Sequence, residues 1–262
     1  MFNLFQLKTY ITYWLDAVDE HSLHSPFLFD LYTKIIKAES EGIFEIEKLR
    51  AKLLKITSEI EVVDLGAGSK HASSAKRAIN EIAHHSLSDQ RFSLLYLRMI
   101  HHIDARNIIE LGTSLGINTL YLAQKKNARV YTFEGSESIA AVALDTFSFA
   151  AAENIELIKG NIDSTLYSNL SRMPKIDLAF MDANHRYTAT MKYFNWLLMK
   201  IHHKSVIILD DIHDTPEMEK AWNEIRKHEL VYTSIDLFRC GIVFFDPSLN
   251  KQHVVLQFKI LK

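Results

Sequence analysis

Two glycine-bearing turns stand out in a chain that has only eight glycines among 262 residues. They are Asp64-Leu65-Gly66-Ala67-Gly68-Ser69 and Glu110-Leu111-Gly112-Thr113-Ser114-Leu115-Gly116. Where glycine is scarce, clustered glycines mark backbone that needs positive φ or close approach by a ligand. Glu134-Gly135 follows Glu110 by 24 residues. A carboxylate at that distance from such a turn is placed to accept two hydrogen bonds from a ribose diol. Three more polar groups follow: Gly160-Asn161, Asp182-Ala183-Asn184-His185 and Asp210-Asp211-Ile212-His213. Asp182 alone would serve as a helix cap, and so would Asp211. The adjacent carboxylates of Asp210 and Asp211 need more than capping, because like charges repel and burial is costly. They predict a cation close by. His185 taken alone reads as a structural histidine or a catalyst. The pairs His84-His85, His101-His102 and His202-His203 read as solvated helix ends.

These groups need elements to hold them. From Arg106 onward, short apolar runs alternate with helical stretches. The runs are 107–111, 129–134, 155–160, 176–182 and 205–210. Helices are expected at about 115–126, 137–153, 162–172 and 187–202. The alternation predicts a parallel sheet with helices on both faces, and each polar group then ends a strand on one sheet edge, where α/β folds bind ligands. After a helix near 216–229, the runs 230–237 and 241–246 should pair antiparallel, with only Phe238 to Cys240 between them. The alternating tail 253–260 would add an edge strand.

The first hundred residues read mainly as helix. Leu4, Leu7, Ile11, Leu15 and Val18 recur at helical spacing and predict an amphipathic opening segment. His21 to Pro26 interrupts it. Helices are expected from Phe27 to about Glu39, from Phe44 to Ile56, and across Phe92, Leu95, Met99 and Ile103 behind a Ser88 cap. The predicted division is a helical cap over 1–104 and an α/β domain over 105–262.

Composition narrows the function classes. Thirty Lys+Arg against 32 Asp+Glu gives a net charge of −2, without the basic footprint of a dedicated nucleic-acid binder. One cysteine, Cys240, excludes an internal disulfide and a cysteine-based zinc site. No apolar run approaches the roughly 20 residues that span a bilayer. The opening segment does not read as a signal peptide, so a cytoplasmic protein with no membrane partner is expected.

The set Glu110-x-Gly112-x-Ser114-x-Gly116, Glu134, Gly160-Asn161, Asp182 and Asp210-Asp211 resembles class I S-adenosylmethionine-dependent methyltransferases. Within them it looks most like the small-molecule O-methyltransferases of the catechol and caffeoyl-CoA type. The resemblance covers 106–246. It implies a doubly wound, mostly parallel, seven-stranded Rossmann-like sheet with an N-terminal helical extension. It implies that Glu110, Gly112, Thr113, Ser114 and Gly116 form the cofactor turn. Glu134-Gly135 would hold the ribose, Asn161 would meet the adenine edge, and Asp182 would lie near the cofactor. Asp182, Asp210 and Asp211 match the family's ligands for Mg²⁺ or a similar ion. Asp182 and His185 would be catalytic, with His185 as general base or further ligand. The caffeoyl-CoA type has Asp-Ala-Asp-Lys where this chain has Asp182-Ala183-Asn184-His185, so the lysine invoked as base is absent.

The expected activity is methyl transfer from S-adenosylmethionine to a hydroxyl of a small molecule. The amphipathic start suggests a homodimer. A nicotinamide-dependent oxidoreductase is the second enzyme reading, although 110–116 lacks the Gly-x-Gly-x-x-Gly spacing that pyrophosphate needs. A non-catalytic scaffold of the same fold is the third. The 64–69 turn lacks the following strand with a terminal acid and reads as a glycine-rich turn.

Overall fold

The computed structural model describes residues 4–62 and 76–258. The 64–69 turn lies outside the described residues, as does the end of the 253–260 run. The chain opens with helix α1, Leu4–Asp16. A short 3₁₀ turn, Glu20–Ser22, is capped by Asp19. Helix α2, Pro26–Leu31, starts as its sequence dictates, with Ser25 as N-cap and Pro26 in the first turn. It runs into a π-helical turn, Tyr32–Ile36, where a regular helix to Glu39 was expected. Helix α3 spans Phe44–Leu53. Strands β1, Glu59–Glu61, and β2, Lys76–Ala78, pair antiparallel as a small separate sheet. Helices α4, Ile79–Ser86, and α5, Gln90–His102, follow. Asp89, not Ser88, caps α5, accepting the Arg91 N–H at 2.8 Å.

The α/β alternation then runs as the sequence predicts. It comprises β3 Asn107–Leu111, α6 Ile117–Leu122, β4 Arg129–Glu134, α7 Glu137–Phe149, β5 Ile155–Lys159 and α8 Ile162–Leu170. It continues with β6 Leu178–Met181, α9 Tyr187–Leu198, β7 Val206–Leu209, α10 Pro216–Ile225, β8 Thr233–Asp236, β9 Gly241–Phe244 and β10 Gln252–Val255. The β6, β7 and β9 strands are buried along their whole length. That explains their unbroken apolar sequences, since a strand covered on both faces has no polar side to show.

Two compact units emerge, Met1–Glu39 with Asp177–Lys262, and Ser40–Ile176. In the second, β3, β4 and β5 run parallel in that order, with Glu110 opposite Thr132 and Leu111 opposite Phe133. Its helices bury Leu94, Ile117, Leu120, Tyr121, Ala143 and Phe147 in one apolar cluster. In the first unit the order is β10-β8-β9-β7-β6. There β6 and β7 are parallel, β9 is antiparallel to both β7 and β8, and β10 runs parallel to β8. Eight strands thus belong to a mostly parallel sheet where seven were expected. The eighth is the tail strand β10 at the edge.

Helix α1 faces the other way from the usual surface helix. Its buried residues are Thr9 and Tyr13, and Tyr13 donates its hydroxyl to the Leu256 carbonyl at 2.7 Å. The apolar stripe of Leu4, Leu7, Ile11, Trp14 and Leu15 is 46–85% exposed.

Candidate active site

The turn after β3 is built around a carboxylate. Glu110 is fully buried. Its Oε1 accepts the Asn118 amide at 2.9 Å, and its Oε2 accepts the hydroxyls of Thr119 at 2.5 Å and Thr132 at 2.7 Å. Three donors compensate the cost of burying the charge. They also tie the first turn of α6 to β3 and β4, so Glu110 orients the turn. Gly112 has φ 98° and Gly116 φ 84°, backbone that glycine adopts without a Cβ penalty. A Cβ at Gly116 would lie 2.6 Å from Phe147 Cε1. The Gly112 and Thr113 N–H groups both reach the Phe133 carbonyl at 3.1 Å. Thr113 and Thr132 share a hydroxyl hydrogen bond of 2.6 Å. Ser114, a non-glycine at φ 48°, meets Ser86 hydroxyl to hydroxyl at 2.6 Å.

Glu134 ends β4 beside this turn. Its Oε2 accepts the Ser114 N–H and its Oε1 the Ser136 N–H, each at 2.9 Å. Burial raises its pKa, opposed by the Ser136, Ser114 and Gly135 N–H groups. An open cleft of about 540 Å³ lies beside it, lined by Glu61, Gly135, Ser136, Glu137 and Ser138. Asn161 caps α8, its side-chain oxygen accepting the Asp163 N–H at 2.9 Å. The turn and Glu134 thus stand beside a cleft that carries two further carboxylates, Glu61 and Glu137.

The other unit carries an acidic cluster. Asp182 follows β6, and Asp210 and Asp211 follow β7. Neither Asp182 nor Asp211 is a cap: Arg186 occupies the N-cap of α9, and Thr215 caps α10. Instead Asp182 Oδ1 lies 3.4 Å from His185 Nε2. Asp182, His185 and Asp211 bring one ligand-type atom each within 4.8 Å of one another. Asn184 at φ 56° and Asp211 at φ 52° hold the left-handed turns that aim these side chains, a conformation Asn and Asp tolerate best after glycine. Burial opposes charging His185. The Asp182 hydrogen bond and the charges of Asp182, Asp211 and Asp210 outweigh it and carry its pKa up to about 9. Burial and the neighbouring Asp210 push the Asp211 carboxyl above the usual carboxylate range.

Asp210 stands apart. It is fully buried, and the Arg239 fork grips it, Nε at 3.1 Å from Oδ1 and a terminal nitrogen at 2.9 Å from Oδ2. Arg239 is the cation that the adjacent carboxylates demanded, and its Nε also lies 3.8 Å from Asp211 Oδ1. It comes from the four-residue connection, Leu237 to Cys240, between β8 and β9. That turn is fixed by Phe238 at φ 68° and by the Ile212 N–H bonding the Arg239 carbonyl at 3.1 Å. The need for a cation was legible; its source was not. A second buried network was also missed. Asp236 accepts His213 Nε2 at 2.8 Å, Trp222 Nε1 at 3.1 Å and the Phe238 N–H at 2.8 Å. Its only sequence sign was His213 at the end of the Asp210-Asp211 segment.

Residues 109–212 match the family model described as a methyltransferase domain. No curated protein matches the chain. Among solved structures, the chain is similar to the O-methyltransferase from Bacillus cereus in complex with SAH. The identity is 18%, with 83% of this chain and 97% of that one covered and a TM-score of 0.56. It is also similar to the SAH-bound Podospora anserina methyltransferase PaMTH1, at 14% identity, 86% and 97% coverage and a TM-score of 0.59. A third is the O-methyltransferase TomG from Streptomyces achromogenes, involved in tomaymycin synthesis and solved with SAM. There the identity is 20%, the coverage 61% and 82%, and the TM-score 0.54. At these identities the likeness is one of fold, and it is the Rossmann-like methyltransferase fold that the sequence resembles.

Proposed function

With a methyltransferase domain at residues 109–212 as premise, we propose that the chain moves a methyl group from S-adenosylmethionine to a hydroxyl of a small molecule. The observation that carries this reading is the Glu134 carboxylate, held by the Ser114 and Ser136 N–H groups beside the glycine turn. Ribose hydroxyls would bond to that carboxylate, and the backbone of 112–116 would meet the amino-acid end. Gly135 and the adjoining cleft would take the nucleoside, and the end of α8 at Asn161 its base edge. The nicotinamide reading fares worse, because 110–116 lacks the pyrophosphate spacing.

The chemistry asks little of the protein beyond alignment and a proton acceptor. The acceptor oxygen attacks the methyl carbon, a C–O bond forms, the C–S bond breaks, and sulfur leaves as a neutral thioether. The acceptor proton must go elsewhere. A pKa of about 9 keeps His185 protonated at neutral pH, so it serves as an imidazolium that steadies the developing oxyanion. Asp182 orients it. Asp211, with its raised pKa, takes the proton, since a base works best with a pKa near the working pH.

The resemblance also implies a divalent cation on Asp182, Asp210 and Asp211. The residues present do not fit it. Asp210 already bonds to Arg239 through both oxygens, the same guanidinium stands near Asp211, and His185 sits on Asp182. The reaction is therefore derived without the ion. Transfer of labelled methyl from S-adenosylmethionine to a panel of phenols, catechols and alcohols tests the reading. His185→Ala should lower kcat by about 10²–10⁴ with cofactor binding unchanged. Methyl transfer to nitrogen or carbon acceptors alone would overturn it.

We also propose that the partner of α1 is a second copy of the chain. Leu4, Leu7, Ile11 and Trp14 follow the three-and-four spacing of a helix-pairing seam. With Leu15 they offer on the order of 500 Å² of apolar surface, most of the roughly 800 Å² per partner of a stable interface. Lys8, four residues after Leu4 and three before Ile11, borders the stripe.

A further inference from the structure

The structure assigns to Arg239 the work that the fold's relatives would give a bound dication: we propose that its guanidinium balances the acidic cluster and keeps divalent ions out of it. This inference rests on the methyltransferase reading but concerns only the cluster's charge. The Arg239 fork meets both oxygens of a carboxylate with no solvent exposure. A planar guanidinium held bidentate by a buried carboxylate is the strongest ion pair that side chains form. Asp210 is thereby removed from any set of metal ligands. The remaining candidates, Asp182, His185 and Asp211, include one carboxylate that faces a permanent positive charge. The Arg239 guanidinium lies 3.8 Å from Asp211. A dication entering there would meet the guanidinium at close range. Arg239 itself cannot yield, because guanidinium does not deprotonate in proteins.

The placement is built rather than incidental. The left-handed Phe238 bends the connection between β8 and β9. The Leu237 N–H bonds the Cys240 carbonyl at 3.0 Å, and the Arg239 carbonyl takes the Ile212 N–H. The turn that carries the arginine is thus bonded to the loop that carries both carboxylates. Arg239 is a positioning residue, acting on the acceptor side through Asp210 and Asp211.

The test is Mn²⁺ uptake by the full chain, read by electron paramagnetic resonance. Mn²⁺ shares oxygen ligands with Mg²⁺ and is visible when free. Wild type should leave Mn²⁺ free across the micromolar range. Arg239→Met should bind it at least about tenfold more tightly, because removing a unit charge near 4 Å from a carboxylate is worth more than that. Adding Asp211→Asn should abolish the gain, and Arg239→Lys, which keeps the charge, should still exclude the ion. Micromolar Mn²⁺ binding by wild type that Asp211→Asn removes would overturn the proposal without recourse to any arginine variant. A folded Arg239→Met with no gain would overturn it too. SAH binding measured on the same wild-type sample separates the two readings. Mn²⁺ uptake with SAH binding intact rejects the charge-balance inference alone, whereas loss of SAH binding counts against the methyltransferase function.

Discussion

Asp236 shows how a single buried carboxylate sets a pH limit. Burial opposes its charge, but the His213 hydrogen bond and charge, the Phe238 N–H and the His253 charge outweigh burial and hold its pKa below the usual value. A depressed carboxylate pKa stabilises the fold fully above the unfolded value, about 4. That contribution is lost as pH falls through the folded value. Thermal midpoints should therefore drop on the acid side of about pH 4. Asp236→Asn should flatten that limb and cost about 3 kcal/mol at neutral pH, since it breaks a buried pair. An acid limb unchanged in Asp236→Asn would assign it to other groups. The strand-end positions of the candidate residues were largely legible. Glu110, Glu134, Asp182, Asp210 and Asp211 were each picked out by residue type at a strand end. Arg239 was not, because only the folding of the connection between β8 and β9 back onto the Asp210 loop makes it a neighbour.

At the level of elements, the turn after β3 depends on Gly116. A side chain there must adopt φ 84° and displace Phe147 of α7, whose ring would sit 2.6 Å from the new carbon. Gly116→Ala should cost about 2–4 kcal/mol, combining positive φ and overpacking. Urea denaturation would measure it, and a loss under about 0.5 kcal/mol would mean that the ring yields freely. The strands were the most legible elements. The runs 107–111 and 129–134 coincide with β3 and β4 residue for residue, because their apolar centres, Ile108-Ile109 and Val130-Tyr131, are flanked by the polar residues that bound each strand. The antiparallel pair of β1 and β2 was missed, since three-residue strands leave too short a pattern to register. Ser88 and Asp89 are both good caps by type, and only the chain's path decides for Asp89. The period of α1 was legible, but not which side of it faces outward. Spacing fixes a stripe, and Tyr13's bond to Leu256 fixes its direction.

At the scale of the whole molecule, that outward stripe makes self-association measurable. Sedimentation equilibrium should give a dimer at micromolar concentration, and Leu7→Asp with Ile11→Asp should yield monomers with secondary structure intact. Wild-type monomers at those concentrations would leave α1 without the proposed partner. Among the described residues, no helix is long and apolar enough to cross a membrane. Calorimetric titration with S-adenosylhomocysteine decides whether the 110–116 turn and Glu134 hold the methyl donor. Binding should be micromolar, independent of added Mg²⁺ and of EDTA, and weakened at least about tenfold in Glu134→Ala through loss of hydrogen bonds to a charged group. No binding by the folded wild-type chain would contradict that role.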